Sequence, residues 1–261
     1  MASVDLLRPG SNESYPPIIK QNTVDMFREC LSVICVNSGE MLDCAFRLRF
    51  QVYCLERRFE DASLYPDGRE HDAEDWRSLH SLLLDRATGS ALGTVRLILP
   101  RARNNLPVFR LVGSSERDRA GLPLETTAEV SRFAVAKAFR RQLETGWNPG
   151  LGPVSWAPGD RGQVLQLLTF GLIQAVVMMS ALGQVTHIVA MMEPALLRML
   201  RRLGIEFHPL GEPVEHHGLR QPGWAVMSHL IASIKNCHPE LGEIITDRQW
   251  GMAKPPALAH A

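Results

Sequence analysis

The sequence predicts an α/β protein built on a mixed, twisted central sheet with helices on both faces. Three observations carry that expectation. A chain of 261 residues with 45% hydrophobic and 21% charged side chains is long enough and apolar enough to bury one sizeable core. His80–Leu84 and Ala91–Leu99 flank the turn Asp85-Arg86-Ala87-Thr88-Gly89, which is an antiparallel hairpin pattern. Beyond Ala128, strand-like runs alternate with a helical one, and a hairpin followed by strand–helix–strand implies a mixed sheet.

The elements follow in order. Met1–Asn22 is polar and Pro-rich and lacks the basic-then-apolar pattern of a signal peptide. We therefore expect a flexible arm over residues 1–25 and a single domain over 26–261. Leu31–Val36 reads as a strand ending at Asn37-Ser38-Gly39, and Glu40–Arg58 as a helix with Leu42, Ala45, Phe46, Phe50, Tyr53 and Cys54 near helical spacing. Pro100 ends the hairpin, and Arg101–Thr127, rich in Pro, Gly and charge, reads as an irregular excursion. Ala128–Ala136 is an alternating strand and Gln142–Asp160 a loop. Val164–Leu182 is apolar, but it contains Gln166, Thr169, Gln174 and Ser180 and has no flanking basic asymmetry. It reads as a buried helix and not as a membrane span. Thr186–Met191 is a strand, and Glu193–Leu203 a helix with Pro194 in its first turn and Gly204 at its end. Ile205–Pro209 and Trp224–Ser228 complete the sheet, and Leu230–Asn236 is a last helix.

Lys plus Arg and Asp plus Glu are both 28, so no overall field draws the chain to nucleic acid or to an anionic membrane. Charge is uneven locally: Asp61, Asp67, Glu70, Asp72, Glu74 and Asp75 crowd one stretch. Cys30, Cys35, Cys44, Cys54 and Cys237 form neither a CxxC pair nor a metal-ligand spacing, so free, mostly buried thiols in the cytoplasm are expected. Cys54 reads as a buried thiol rather than a nucleophile. His216-His217 near Arg220 is a second cluster, but neighbours on a strand point to opposite faces and make poor joint metal ligands. No metal site is expected. HExxH, Walker, GxSxG and dinucleotide motifs are absent.

The chemistry concentrates in Glu129-Val130-Ser131-Arg132-Phe133-Ala134-Val135. Strict alternation puts Glu129, Ser131, Phe133 and Val135 on one face and Arg132 on the other. Glu129 and Arg132 have two readings: a structural ion pair, or a base that takes a proton from an attacking amine beside an arginine that positions the acceptor's carboxylate. Arg49 and Tyr53 lie at i and i+4 on one helix face, followed by Phe59, then Asp72 and Asp75, then Arg96 in the hairpin.

In this order and spacing, Arg49, Tyr53, Phe59, Asp72, Asp75, Arg96, Glu129 and Arg132 resemble the pattern of the acyl-homoserine lactone synthases, with Tyr53 and Phe59 where that family usually has Phe and Trp. A closer resemblance runs from about Leu42 to Met227. Its motifs are Leu48–Glu56, Ala87-Thr88-Gly89, Gly93–Leu97, Glu129–Val135, Met192-Glu193-Pro194 and His217–Pro222. These look like the PEP-CTERM/exosortase system-associated acyltransferases, relatives of the lactone synthases and of long-chain N-acyl amino acid synthases. The resemblance implies a GNAT-like (acyl-CoA N-acyltransferase) fold and transfer of a medium or long acyl chain from a thioester to an amine. It implies Glu129, Arg132 and Ser131 as catalytic residues, with Arg49, Tyr53, Phe59, Asp72, Asp75, Arg96 and Phe133 around the substrate. The alternatives are lactone synthesis from S-adenosylmethionine and a non-catalytic acyl- or carrier-binding module.

The donor follows from a spacing. Pro158-Gly159-Asp160-Arg161-Gly162-Gln163 has glycines without the Q/R-x-x-G-x-G/A spacing whose amides hold the coenzyme A pyrophosphate. Val135, Lys137, Arg140 and Arg141 are the expected donor-binding residues, the basic ones suited to acyl carrier protein. Arg198, Arg201 and Arg202 read as either part of that patch or a solvated helix face. Acyl carrier protein or coenzyme A thioesters enter as co-substrates, with no tightly bound cofactor. Phe170, Met178, Met179 and Met191-Met192 are candidates for either an acyl tunnel or plain core.

Overall fold

The protein is described by a computed structural model that covers residues 23–101, 106–113, 116, 118, 120–137 and 161–247, with residues 161–165 described by backbone alone. The arm expected to reach residue 25 is already helical at its end, because α1 runs Thr23–Cys30 and buries Phe27. β1 (Leu31–Cys35) follows directly, and α2 (Gly39–Arg49) begins where the Ser38 side chain accepts the Met41 N–H. α2 does not continue as an ordinary helix. Phe50–Glu56 is a π-helical segment, whose extra residue per turn changes which side chains face the sheet.

β2 (Ser78–Asp85) and β3 (Ala91–Ile98) form the expected hairpin, with Asp85 accepting the Ala87 N–H and the Thr88 hydroxyl in its turn. The excursion after Pro100 is less irregular than expected: it contains the short helix α3 (Pro107–Leu111) and a 3₁₀ turn at Leu124–Thr126. β4 (Thr127–Val135), α4 (Arg161–Leu182), β5 (His187–Met192) and α5 (Pro194–Arg202) match the expected strand–helix–strand–helix order. The expected strand at Ile205–Pro209 shrinks to β6 (His208–Pro209). β7 (Val214–Glu215) and β8 (Leu219–Val226) form a hairpin, so β8 starts earlier than Trp224. The final helix is longer than expected, α6 (Met227–Cys237), and α7 (Pro239–Thr246) follows it.

The sheet order is β1-β2-β3-β4-β5-β8-β6, with β7 paired to β8. Neighbouring strands are antiparallel except β4 and β5, which are parallel. Their pairing stops at Val130↔Ala190, although β4 continues to Val135, so the sheet opens between them at their C-terminal ends. The main core lies on one face, where α1, α4 and α6 cover the sheet and α7 packs over all three helices. α2 covers β1 and β2 on the other face, and α3 covers Ile98 and Val189 there. α4 is buried on most of its described faces, from Leu167 to Met179. Among the described residues no helix is long and apolar enough to cross a membrane.

Two backbone features of β3 and β4 position the site. Gly93 lets them approach so closely that a Cβ there would lie 2.9 Å from the Ala134 carbonyl oxygen. Thr94 pairs with Ala134 but Arg96 pairs with Ser131, so β4 has one residue too many, and Arg132 absorbs it with φ 52°. The expected alternation along Glu129–Val135 therefore fails at Arg132. Ser131 and Ala134 face the same way, both opposite same-face residues of β3.

Candidate active site

A cavity of about 730 Å³ opens where β4 and β5 part. Tyr53, Phe59, Asp72, Arg96, Glu129, Ser131, Arg132, Phe133 and Val135, all expected from the sequence, line it. Arg49 and Asp75 lie behind this wall and support it. Lys137 stands at the end of β4, where its N–H donates to both oxygens of the Glu56 carboxylate at 3.0 and 2.9 Å. Arg140, Arg141 and Pro158–Asp160 lie outside the described residues.

Glu129 is 5% exposed and accepts the Val108 N–H at 2.8 Å from the start of α3. Burial pushes its carboxyl from an ordinary 4.5 up to about 7, against that hydrogen bond and the charge of Arg96. Glu129 and Arg132 are not partners, which rules out the simple ion pair. Arg132 is instead bidentate on Glu70, Nε to Oε2 at 3.0 Å and Nη2 to Oε1 at 2.8 Å, and Nη2 also reaches Asp72 Oδ2 at 3.2 Å. The fork expected to grip an acceptor carboxylate is already engaged.

Glu70 is the residue that sequence reasoning missed. It is fully buried between two arginines, for Arg49 Nε also donates to its Oε2 at 2.6 Å. Arg49, itself fully buried, is bidentate on Asp75 at 2.7 and 3.2 Å. Arg96 Nη1 donates to Asp72 Oδ1 at 2.6 Å and Asp75 Oδ1 at 2.7 Å, and its Nε to Ser131 Oγ at 2.9 Å. Three guanidinium groups thus alternate with three carboxylates. Burial alone would raise all three carboxyls, but the hydrogen bonds and charges of the arginines outweigh it and hold them below their usual range. The only signal in the sequence was the two-residue step from Glu70 to Asp72 within the acidic stretch.

His80, opposite Arg96 on β2, completes the back of this network with Nε2 3.6 Å from Asp75 Oδ1. Burial lowers it to about 4, against the pull of Asp75, so it is neutral at pH 7. The Cys54 thiol is pushed up to about 11, chiefly by burial, as suits an inert side chain.

The π-helical segment turns Val52 and Tyr53 to the cavity, and Arg132 lies over the Tyr53 ring at 5.2 Å. Tyr53 meets Phe59 at 6.4 Å, and Phe59 stacks on His217 at 5.3 Å. His216 and His217 are in the β7–β8 turn, not on a strand, so their rings come within 4.7 Å of each other beside the cavity. Away from the charged groups the wall is apolar. Ile173 and Val176 of α4, Met191, Met192 and Met199, and Met227 and Leu230 of α6 form it, so Met191 and Met192 line the cavity. Phe170, Met178 and Met179 are core and do not line it. Among the described residues no group of His, Cys, Asp or Glu is arranged to hold a metal ion.

The candidate site thus joins a buried carboxyl, a charged wall and an apolar cavity where the sheet parts. A family model described as acetyltransferase (GNAT) domain matches residues 48–145, from the end of α2 past β4. The enzyme class is accordingly acyltransferase. Among solved structures, the chain is similar to BjaI, described as a CoA-dependent acyl-homoserine lactone synthase with SAM and isopentyl-CoA. The TM-score is 0.58 and the identity 19%, over 81% of this chain and 90% of that one. It is also similar to TofI in a ternary complex with an inhibitor and MTA (TM-score 0.54, 19% identity, 80% of this chain and 99% of that one). MesI, described as a CoA-dependent acyl-homoserine lactone synthase, gives a TM-score of 0.53 and 21% identity over 80% of this chain and 95% of that one. These likenesses establish the fold. No curated protein matches the sequence significantly.

Proposed function

We propose that the protein is an N-acyltransferase that moves a medium or long acyl chain from a thioester to the amine of an amino acid or a derivative. The observation that carries this reading is the position of Glu129. Its carboxyl, held near 7, faces a cavity whose inner part is apolar enough for an acyl chain. With the chain in the apolar part, the amine attacks the thioester carbonyl, the C–N bond forms and the C–S bond breaks. Glu129 takes the proton the amine must lose, directly or through a water, and the leaving sulfur is protonated to the thiol. Ser131, which accepts from Arg96, keeps its own hydroxyl hydrogen to donate to the carbonyl oxygen as charge builds there. Arg49, Arg96, Asp72 and Asp75 hold that wall in place.

For the donor we favour acyl carrier protein over coenzyme A, although BjaI and MesI are described as CoA-dependent. The segment 158–163 lacks the spacing of a pyrophosphate turn, and Lys137, Arg140 and Arg141 suit an acidic partner. At the end of β4 the Lys137 amide already holds a carboxylate, that of Glu56, where a phosphate would need a free N–H. Specificity constants for both donors with one acyl chain test this. The carrier reaction is expected to be faster, to weaken as salt rises, and to weaken further with Arg140→Glu plus Arg141→Glu. A coenzyme A preference untouched by the reversal rejects it. The motifs that resemble the PEP-CTERM/exosortase-associated acyltransferases support a role beside such a system, and five cysteines without a CxxC pair support a cytoplasmic one.

The deciding experiment is mass spectrometry of lipid extracts from cells producing the wild type or Glu129→Gln. N-acyl amino acids or amines in the first and not in the second support the reading. An acyl lactone would instead identify a lactone synthase, and identical extracts would leave an acyl-binding module.

A further inference from the structure

The charged wall raises a problem for an amino-acid acceptor. Arg49, Arg96 and Arg132 are each met by two of the three carboxylates of Glu70, Asp72 and Asp75, and Glu60 lies 3.6 Å from Arg132 as well. With Glu60 counted, that wall offers four carboxylates to three guanidinium groups. It attracts the acceptor's amine and repels its carboxylate, which needs a different partner.

The β7–β8 turn lines the same cavity through His216 and His217. Its backbone is fixed: His216 N–H donates to Gly218 O at 3.0 Å, and Gly218 N–H to the Glu215 carboxylate at 3.0 Å. Arg220 donates to the His216 and His217 carbonyls at 3.0 and 3.2 Å and bridges to Glu193 at 3.2 Å. His217 sits at φ 52°, a strained conformation for a non-glycine residue, with its ring held flat on Phe59. Arg220 lies on Phe59 too, 5.4 Å from the ring centre. None of the four ring nitrogens of His216 and His217 is hydrogen-bonded to any described residue. The turn thus presents imidazole N–H donors, with the Arg220 guanidinium held against their carbonyls, to the cavity.

We infer that this turn is the carboxylate subsite of the acceptor, with His216 and His217 as its donors and Phe59 as the floor that fixes their orientation. The inference rests on the N-acyltransferase reading and narrows the acceptor to amines that carry an anionic group near the nitrogen. In an acceptor bound this way, the amine points to the Glu129 side and the carboxylate to the turn, so one molecule spans the two walls.

Two measurements test it. The first compares acylation of amino acids with that of their α-carboxamides by wild type, His216→Ala and His217→Gln, with folding checked by circular dichroism. The wild type is expected to favour carboxylates at least about tenfold in kcat/KM, roughly the factor that 1.4 kcal/mol supplies. The His216→Ala change should erase that preference through KM, with kcat retained, and His217→Gln, which keeps an N–H donor, should erase less. The second records the imidazole signals of His216 and His217 in the wild-type protein by NMR, so it does not depend on any variant. N-decanoylglycine is expected to shift both, and N-decanoylglycinamide neither. Equal use of carboxylates and carboxamides, or equal shifts with the two compounds, overturns the subsite while leaving amine acylation intact. Shifts produced by decanoyl-coenzyme A alone overturn it as well, because the anion would then be the donor's phosphate. If no amine of either kind is acylated, the N-acyltransferase reading itself falls and the subsite falls with it.

Discussion

Glu129 and Arg132 stand three positions apart, and opposite demands govern them. Glu129 is kept from charge by burial, which in the proposed mechanism suits it to serve as the base near pH 7. Glu129→Gln is expected to lower acyl transfer by about 10²–10⁴-fold and to remove the rise of kcat/KM with pH through about 7 that is expected of the wild type. A pH–rate series on both proteins checks this. Arg132 is kept charged by Glu70. Glu70→Gln removes the carboxylate that two guanidinium groups share, and breaking a buried pair in this way costs about 3–5 kcal/mol. Urea unfolding is the measurement, and a loss below 1 kcal/mol would show that water or another carboxylate fills the gap. Most residues of this network are legible in the sequence as types and order: Arg49, Asp72, Asp75, Arg96 and Arg132 can all be named. Their pairing is not. Glu70 differs from Asp67 or Glu74 only in how deeply the chain buries it, and the tie of its N–H to the Phe46 carbonyl, which holds it there, leaves no mark in a linear pattern.

Among the elements, β4 does the most to shape the site, through the bulge at Arg132 and the loss of β5 beyond Val130. The bulge keeps Ser131 under Arg96 while delivering Arg132 to Glu70. Its geometry depends on Gly93 across the ladder. Gly93→Ala would push a Cβ into the Ala134 carbonyl and against Leu172, an overpacking worth typically about 1–3 kcal/mol. The expected outcome is a lower urea midpoint together with a larger loss of activity than that stability change explains, because β4 must shift. Activity restored in full at low temperature would show that only stability was affected. Elements with strong periodicity, the β2–β3 hairpin and α4, were readable. The start of β8 is hidden in the sequence because Pro222 and Gly223 interrupt its pattern, yet Pro222 O accepts the Leu210 N–H beside β6. The π-helical segment leaves no mark either, since its sequence has the spacing of an ordinary helix.

At the scale of the whole molecule, two buried groups titrate in opposition. His80 is neutral in the folded protein down to about 4 but takes a proton near 6.5 when unfolded, so it removes stability as pH falls through that window. Glu129 stays protonated up to about 7 when folded but ionises near 4.5 when unfolded, so it removes stability as pH rises through nearly the same window. Each shift corresponds to roughly 3 kcal/mol, and the two slopes largely cancel. We expect a wild-type Tm that is nearly flat between pH 5 and 6.5, roughly the overlap of the two windows. In Glu129→Gln it should rise with pH there, because His80 is left unopposed. Glu70, Asp72 and Asp75 act lower still: their stabilisation is complete above the ordinary carboxylate range and is lost as pH falls below it, so acid unfolding should steepen there. Thermal denaturation across pH resolves all three contributions. The methionines of the cavity wall have a last consequence. Met191, Met192, Met199 and Met227 present unbranched, polarisable side chains that re-pack around guests of different size. In the proposed function such a wall would measure acyl length with a soft ruler, so the enzyme should release a family of neighbouring products instead of one. Mild peroxide, by turning those thioethers into polar sulfoxides, should shorten and narrow that family before it abolishes turnover.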